Sequence, residues 1–418
     1  MILIDKLNKS SFLKNILILA TGSFVAQIIA IACSPILTRI YSAEEMGVFT
    51  YIISLTAIFM GVINARYDMS IVTEKDDSNI IPLLQLSFII GLIATVLSTI
   101  ALGIAIEKQG LSAIWTLYTF FILLSYSIIN PLTAYNNRYK EYTVISKTYT
   151  LRKTIQNIGA MLAGIITKTG HGLILPYVIG QYLGIDSQSK TLRTRVKELM
   201  SLKKKKIIDV AKKHKNQPLY SLPAQLANSL SYSLITVFVT NLFGLATVGY
   251  YAISVKLLGL PLALIGSNIS KVFVERAAVE YKQFGGYKNS FNKTFLILLV
   301  ITIPMVIILY IVSPWVCEWF LGKGWGVSGE YIRILAPMFG VRFITSALSP
   351  ALIIVSKQKF EFLLQLLFLI FNLTSFIIAK VYVLDIEGFL NIVNVLFSLA
   401  YALYLHMVYR YSKPRNNA

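Results

Sequence analysis

Apolar runs of about 20 residues or more recur along the whole chain, separated by short polar breaks. Neither the alternation of a half-buried strand nor the single apolar stripe of a surface helix dominates. Runs of this length match a helix crossing about 30 Å of hydrocarbon. The pattern predicts twelve spans, at about 13–36, 47–69, 80–106, 112–130, 141–167, 171–186, 220–243, 247–271, 291–317, 329–355, 359–382 and 386–410. Gly172, Pro176, Gly180 and Gly184 interrupt the sixth, which neighbouring helices can accommodate. One long polar break, Asp186 to Tyr220, separates six spans from six. The expected architecture is an all-α membrane protein with an N-terminal six-helix unit (1–186), a basic connector (187–219) and a C-terminal six-helix unit (220–418).

Composition agrees with a membrane class. Of 418 residues, 56% are hydrophobic and 14% charged, and mean hydropathy is +0.67; a soluble domain is nearer a quarter charged. The net charge of +20 does not point to nucleic acid, because the basic residues sit between spans. There they set orientation and meet anionic lipid. With the N-terminus inside, the inside segments carry Lys6, Lys9 and Lys14, then Arg138, Lys140 and Lys147, the connector, Lys271 to Lys288, Lys357 and Lys359, and Arg410 to Arg415. Both termini are then cytoplasmic. One inside loop runs against the trend, with Glu74, Asp76 and Asp77 against Lys75. The N-terminal run resembles a signal peptide but continues to about Pro35, as a retained span does.

In the connector, Lys190, Arg193, Arg195, Lys197, Lys203 to Lys206, Lys212, Lys213 and Lys215 face only Asp186, Glu198 and Asp209. Leu192, Val196, Leu199 and Met200 recur at helical spacing. That pattern fits an amphipathic helix on the inner leaflet, or a solvated linker. Two stretches also match each other across the halves. Thr38-Arg39-Ile40-Tyr41, five residues, then Gly47-Val48-Phe49 parallels Thr240-Asn241-Leu242-Phe243, five residues, then Gly249-Tyr250-Tyr251. The same register pairs Ser54 with Lys256 and Arg66 with Asn268. Six spans per half is even, so the halves read as parallel repeats.

No phosphate loop, HExxH, GxSxG or paired His/Cys ligand set occurs, so neither an enzyme, a metal nor a cofactor is expected. The glycines around Gly322 to Gly326 read as a turn. Cys33 and Cys317 lie in different halves and suggest no disulfide. The informative residues are charges within spans. Each costs at least about 2.5–3.5 kcal/mol to insert and therefore faces a protein interior or a water-filled path. Arg342 lies near the middle of the tenth span and Lys256 midway along the eighth. Arg66 and Asp68 lie towards the inner end of the second, Arg152 and Lys153 within the fifth, and Arg39 closes the first. Arg39, Lys271 and Arg333 can snorkel to an interface, and Arg66 with Asp68 can be a simple pair. Basic groups in an apolar cavity call for an anionic substrate such as a pyrophosphate. Gln27, Asn64, Gln156, Asn157, Asn228, Ser229 and Ser231 can bond a glycan or join helices.

Three stretches carry a family resemblance: Pro35 to Gly47 (PILTRIYSAEEMG), Val248 to Ala252 followed by Leu260-Pro261-Leu262, and Phe320-Leu321-Gly322 to Trp325. With the spacing of twelve spans around a basic connector, the chain resembles bacterial O-antigen or capsule repeat-unit flippases. These form the polysaccharide branch of the multidrug/oligosaccharidyl-lipid/polysaccharide exporter superfamily. The resemblance implies two parallel six-helix bundles in a V around a central cavity. It implies alternating-access movement of an undecaprenyl-pyrophosphate-linked oligosaccharide across the bacterial inner membrane, driven by an H+ or Na+ gradient. Cations from the first, second and eighth helices are then expected to receive the pyrophosphate. Arg66 and Lys256 match by position, Arg39 lies nearer the outer end, and Asp68 is the candidate for ion coupling. The implied partners are the lipid-linked substrate, membrane lipids and other glycan-assembly membrane proteins.

Two other functions compete. A drug or cation antiporter of the same superfamily calls for acidic cavity residues, and this chain offers basic ones. A membrane glycan polymerase or ligase calls for a large outside loop, and every outside loop here is short.

Overall fold

The computed structural model describes residues 2–201, 203–355, 357 and 359–414, with no side-chain description for 2–20 and 359. The side chains of Lys6, Lys9, Lys14 and Lys359, and all of Arg415, therefore lie outside the described residues. Among the described residues every regular element is helical and none is a strand.

The chain divides into two compact units, Met1–Ser229 and Leu230–Ala418. The first holds α1 (Ile2–Ile40), α2 (Ala43–Met60), α3 (Tyr67–Thr73), α4 (Ile80–Glu107), α5 (Ala113–Arg138), α6 (Tyr142–Ile166), α7 (His171–Tyr182), α8 (Ile185–Ser189), α9 (Val196–Met200) and α10 (Lys204–Lys213). Helix α11 (Leu222–Phe243) contains the boundary. The second unit continues with α12 (Leu245–Pro261), α13 (Ser267–Phe284), α14 (Lys288–Leu321), α15 (Gly326–Leu348), α16 (Ala351–Ile354), α17 (Lys359–Val381) and α18 (Ile386–Ser412). Gly322 (φ 111°) and Gly324 (φ 86°) carry the turn into α15.

Among the described residues ten helical stretches are long and apolar enough to cross a membrane, and they fall on all the expected spans except the fifth and sixth. The fifth corresponds to α6, whose middle carries Lys147, Arg152 and Lys153. The sixth corresponds to α7, only 12 residues long, or about 18 Å of helix, short of the hydrocarbon thickness. Gly184 at φ 79° turns the chain away just after it.

The second span is also not one helix. α2 ends at Met60, and the chain turns through 61–66 before α3 begins. Ala65 (φ 48°) and Arg66 (φ 64°) are both left-handed without being glycine, a conformation that costs about 1–3 kcal/mol per residue. Buried hydrogen bonds hold it. The Asn64 side-chain amide donates to the Ser87 and Ser127 carbonyls, at 2.9 Å each. The Asn130 amide donates to the Met60 carbonyl at 2.9 Å. Asn64 thus ties the break to α4 and α5, the helix-joining use of a buried amide.

The connector adopts neither of its two expected forms. Leu192–Arg195 is a 3-10 turn and α9 a short helix, so no continuous amphipathic helix spans 192–200; Met200 and Val196 are exposed. Leu192 and Val210 instead enter a core cluster with Ile71, Ile80, Leu83, Leu84 and Leu132, with Leu199 and Ile207 against its edge. The Gln85 amide donates to the Leu199 carbonyl at 2.7 Å. The connector is packed onto α3, α4 and α5 rather than lying free.

The acidic loop that breaks the charge rule is the counter-charge for that packing. Lys213 Nζ lies 2.8 Å from the Glu74 carboxylate and His214 Nε2 2.7 Å from it. Arg138 donates to the Ile71 carbonyl at 3.2 Å and to the Glu74 carbonyl, and pairs with Asp77 at 2.6 Å. Burial alone raises the Glu74 carboxyl. The Asp76 N–H, Lys213 and His214 outweigh it and bring its pKa from 4.5 to about 2.

Candidate functional site

Two places in the fold combine an irregular stretch of helix with buried polar atoms that have no hydrogen-bond partner among the described residues. In the first unit it is the 61–66 turn. Arg66 donates to the Gly61 carbonyl at 3.3 Å, while its Nε is buried with no hydrogen-bond partner. Asp68, two residues on and 7% exposed, has an unpartnered Oδ1. Among the described residues neither side chain forms an ion pair, so the simple Arg66–Asp68 pair does not form. Buried polar atoms without partners mark a place for water, an ion or a ligand.

In the second unit it is the π turn Leu262–Gly266, through which α12 runs on into α13 as one helical stretch. Pro261 causes it, because proline cannot donate to the carbonyl four residues back. Gly266 lies against Phe343 of α15; a Cβ there would come within 3.3 Å of the ring. This close approach forms one wall of a cavity of about 630 Å³, within the range of small-ligand sites. Tyr232 of α11, Phe339, Arg342 and Ser346 of α15, Glu361, Leu364 and Gln365 of α17, and Tyr401 and Tyr404 of α18 line it too, with the hydroxyls of Ser267, Ser270, Thr345 and Ser349 among the rest.

Arg342 sits between two rings, its Cζ 5.2 Å from the centroids of both Tyr232 and Phe339. Among the described residues it makes no ion pair. The ring faces supply part of the anionic compensation that a carboxylate otherwise gives. Phe368, fully buried, stands behind this floor, 4.8 Å from Tyr401 and 6.3 Å from Tyr232 between ring centroids. Ser231 Oγ donates to the Gln365 carbonyl at 2.8 Å, joining α11 to α17. The Gln365 side chain is 8% exposed, and its Oε1 has no partner.

The other expected site residues fall elsewhere. Lys256 is half-buried midway along α12, next to cavity-lining Val255. Arg152 is buried and committed to protein: its Nε donates to the Leu183 carbonyl at 2.9 Å, and Gln188 Oε1 lies 3.4 Å from its NH2. It anchors the turn that ends α7. Arg39 is exposed at the end of α1 and donates to the Pro35 carbonyl at 2.8 Å. Sequence reasoning missed Gln365 and the ring cluster. The available signal was a lone amide inside the apolar run FEFLLQLLFL.

The two irregular stretches also correspond. In the register that aligns Thr38 with Thr240, residues 61–66 fall on 263–268, overlapping the π turn. Helix irregularities, π turns among them, recur at functional sites.

The sequence matches the family described as "Polysaccharide biosynthesis protein" over residues 36–330. No curated protein sequence matches it. In fold it is similar to the lipid II flippase MurJ in an inward closed conformation, with TM-score 0.73, 16% identity, and 94% of this chain and 87% of that one covered. It is also similar to an inward-facing multidrug resistance MATE transporter of the MOP superfamily (TM-score 0.61, 14% identity, 93% of each chain). A third similar structure is a MOP superfamily transporter from Pyrococcus furiosus, described as having a binding pocket of reverse polarity (TM-score 0.59, 13% identity, 94% of each chain).

Proposed function

The chain belongs to the polysaccharide biosynthesis protein family, and from that premise we propose that it is a flippase for lipid-linked glycans. Its substrate is an undecaprenyl-pyrophosphate-linked oligosaccharide repeat unit of O-antigen or capsule assembly. It carries this unit across the bacterial inner membrane, with both termini cytoplasmic. The observation that carries this reading is the break in the second span, where Arg66 makes no ion pair among the described residues and its Nε is buried with no hydrogen-bond partner. An unpaired cation at an interrupted helix suits an anionic substrate and does not suit a drug cation.

In this reading α6 and α7 complete twelve crossings in two six-helix halves. Arg66 and Lys256 receive the pyrophosphate, and Arg342 meets a second part of the substrate. Arg39 faces headgroups at the outer end, and Arg152 fixes the α7 turn. Asp68 is the coupling acid. Protonated or ion-bound, it leaves the Arg66 charge free for the pyrophosphate; deprotonated, it competes for that charge and favours release. The protein alternates between forms open to either side, and the lipid tail stays in the bilayer.

Surface glycan in a strain carrying single variants tests this. Arg66→Ala, Lys256→Ala and Arg342→Ala are each expected to abolish it while the protein still reaches the membrane. Normal surface glycan from all three variants contradicts the assignment. A reporter fused at Lys203 should be active only if it needs the cytoplasm; activity of a periplasm-dependent reporter there overturns the orientation.

A further inference from the structure

The cavity around Arg342 is unlike a diphosphate site in its chemistry. A pyrophosphate wants an excess of positive charge and several converging donors. Here one guanidinium shares the cavity with the carboxyl of Glu361, so positive charge is not in excess. The rest of the lining mixes four aromatic rings with the hydroxyls of Ser267, Ser270, Thr345, Ser346 and Ser349 and with glycine and aliphatic side chains. The Tyr232 ring is 43% exposed, and Tyr401 and Tyr404 lie nearby in the lining. The unpartnered Oε1 of buried Gln365 asks for a donor, a hydroxyl or an amide N–H, which a phosphate cannot supply.

Rings that offer a flat apolar face, a planar fork of donors and two side-chain acceptors fit a pyranose. Such a sugar has an apolar C–H face and a rim of hydroxyls that both donate and accept. We propose that this cavity reads one sugar residue of the transported glycan and does not hold its pyrophosphate. The sugar stacks on Tyr232. Arg342, held over the rings of Tyr232 and Phe339, donates to ring hydroxyls, while Gln365 Oε1 and Glu361 accept from hydroxyls or an acetamido N–H. This deepens the flippase reading and rests on it: Arg66 and Lys256 keep the pyrophosphate, and the second unit supplies sugar selectivity.

The test uses the full-length protein in lipid nanodiscs and two probes, undecaprenyl pyrophosphate and the same lipid carrying one N-acetylglucosamine. The native protein is expected to bind the sugar-bearing probe at least about tenfold more tightly, the worth of one charge-assisted hydrogen bond. Tyr232→Ala, a truncation of a half-exposed ring, and Gln365→Leu are expected to erase that preference with the Kd for the bare lipid unchanged. Tyr232→Phe should keep it. Arg66→Gln should weaken both probes alike. The proposal is overturned if the native protein shows no preference. It is also overturned if, at unchanged melting temperature, Arg342→Gln weakens the bare lipid as much as the sugar-bearing one. Failure of the native protein to bind either probe removes the flippase reading itself.

Discussion

At the scale of single residues, two side chains hold the local structure around the 61–66 turn and the connector of the first unit. Asn64 satisfies two carbonyls at the left-handed turn before Arg66. Asn64→Leu leaves both unpaired, at about 1–3 kcal/mol each, and is expected to lower the thermal midpoint of the purified protein by several degrees. Glu74 holds Lys213 and His214. Its pKa is depressed from 4.5 to about 2, so the stability it contributes is present above about pH 4.5 and is lost as pH falls towards 2. A nitroxide on Lys212→Cys should therefore report an immobile α10 from pH 8 to pH 5 and a mobile one only under strong acid. With Glu74→Gln it should be mobile at neutral pH; an unchanged spectrum in that variant removes Glu74 from this role. The sequence placed Arg66, Asp68 and Arg342 at informative positions because charge in an apolar run is conspicuous. It did not distinguish Arg152 from them. What separates Arg152 is the Leu183 carbonyl, which comes within its reach only once α7 has turned at Gly184.

At the scale of elements, hydropathy located the helices but not their breaks. The 61–66 turn carries no proline to announce it; what sustains it is a long-range amide bond from Asn64. The π turn has a local cause, Pro261, which was legible. The connector shows the same limit. Its basic composition was read correctly, yet its anchoring depends on Leu192 and Val210 meeting a core built by α3, α4 and α5. Each such side chain contributes about 1.5–3 kcal/mol by burial. Val210→Asp is expected to release α10, so that trypsin cuts at Lys203 to Lys206 and Lys212 to Lys215 far faster than in the native protein. Equal cutting rates contradict the packed connector.

At the scale of the whole molecule, the helical class and most spans followed from one physical requirement: apolar helices long enough for the bilayer. The fold agrees with that of lipid-flippase and transporter structures. The short match between the halves gained meaning only when the 61–66 break and the Leu262–Gly266 π turn proved to overlap in the same register. That correspondence motivates the central claim, that the chain moves a lipid-linked glycan across the membrane. Reconstitution tests it most directly. The purified protein is placed in sealed vesicles with undecaprenyl-pyrophosphate-linked oligosaccharide, and a membrane-impermeant glycosidase reports the fraction of glycan exposed outside. The account predicts that glycan initially protected inside becomes accessible when an ion gradient is imposed, and that Arg66→Ala vesicles leave it protected. Glycan that stays protected with the native protein, under both H+ and Na+ gradients of either direction, contradicts the account.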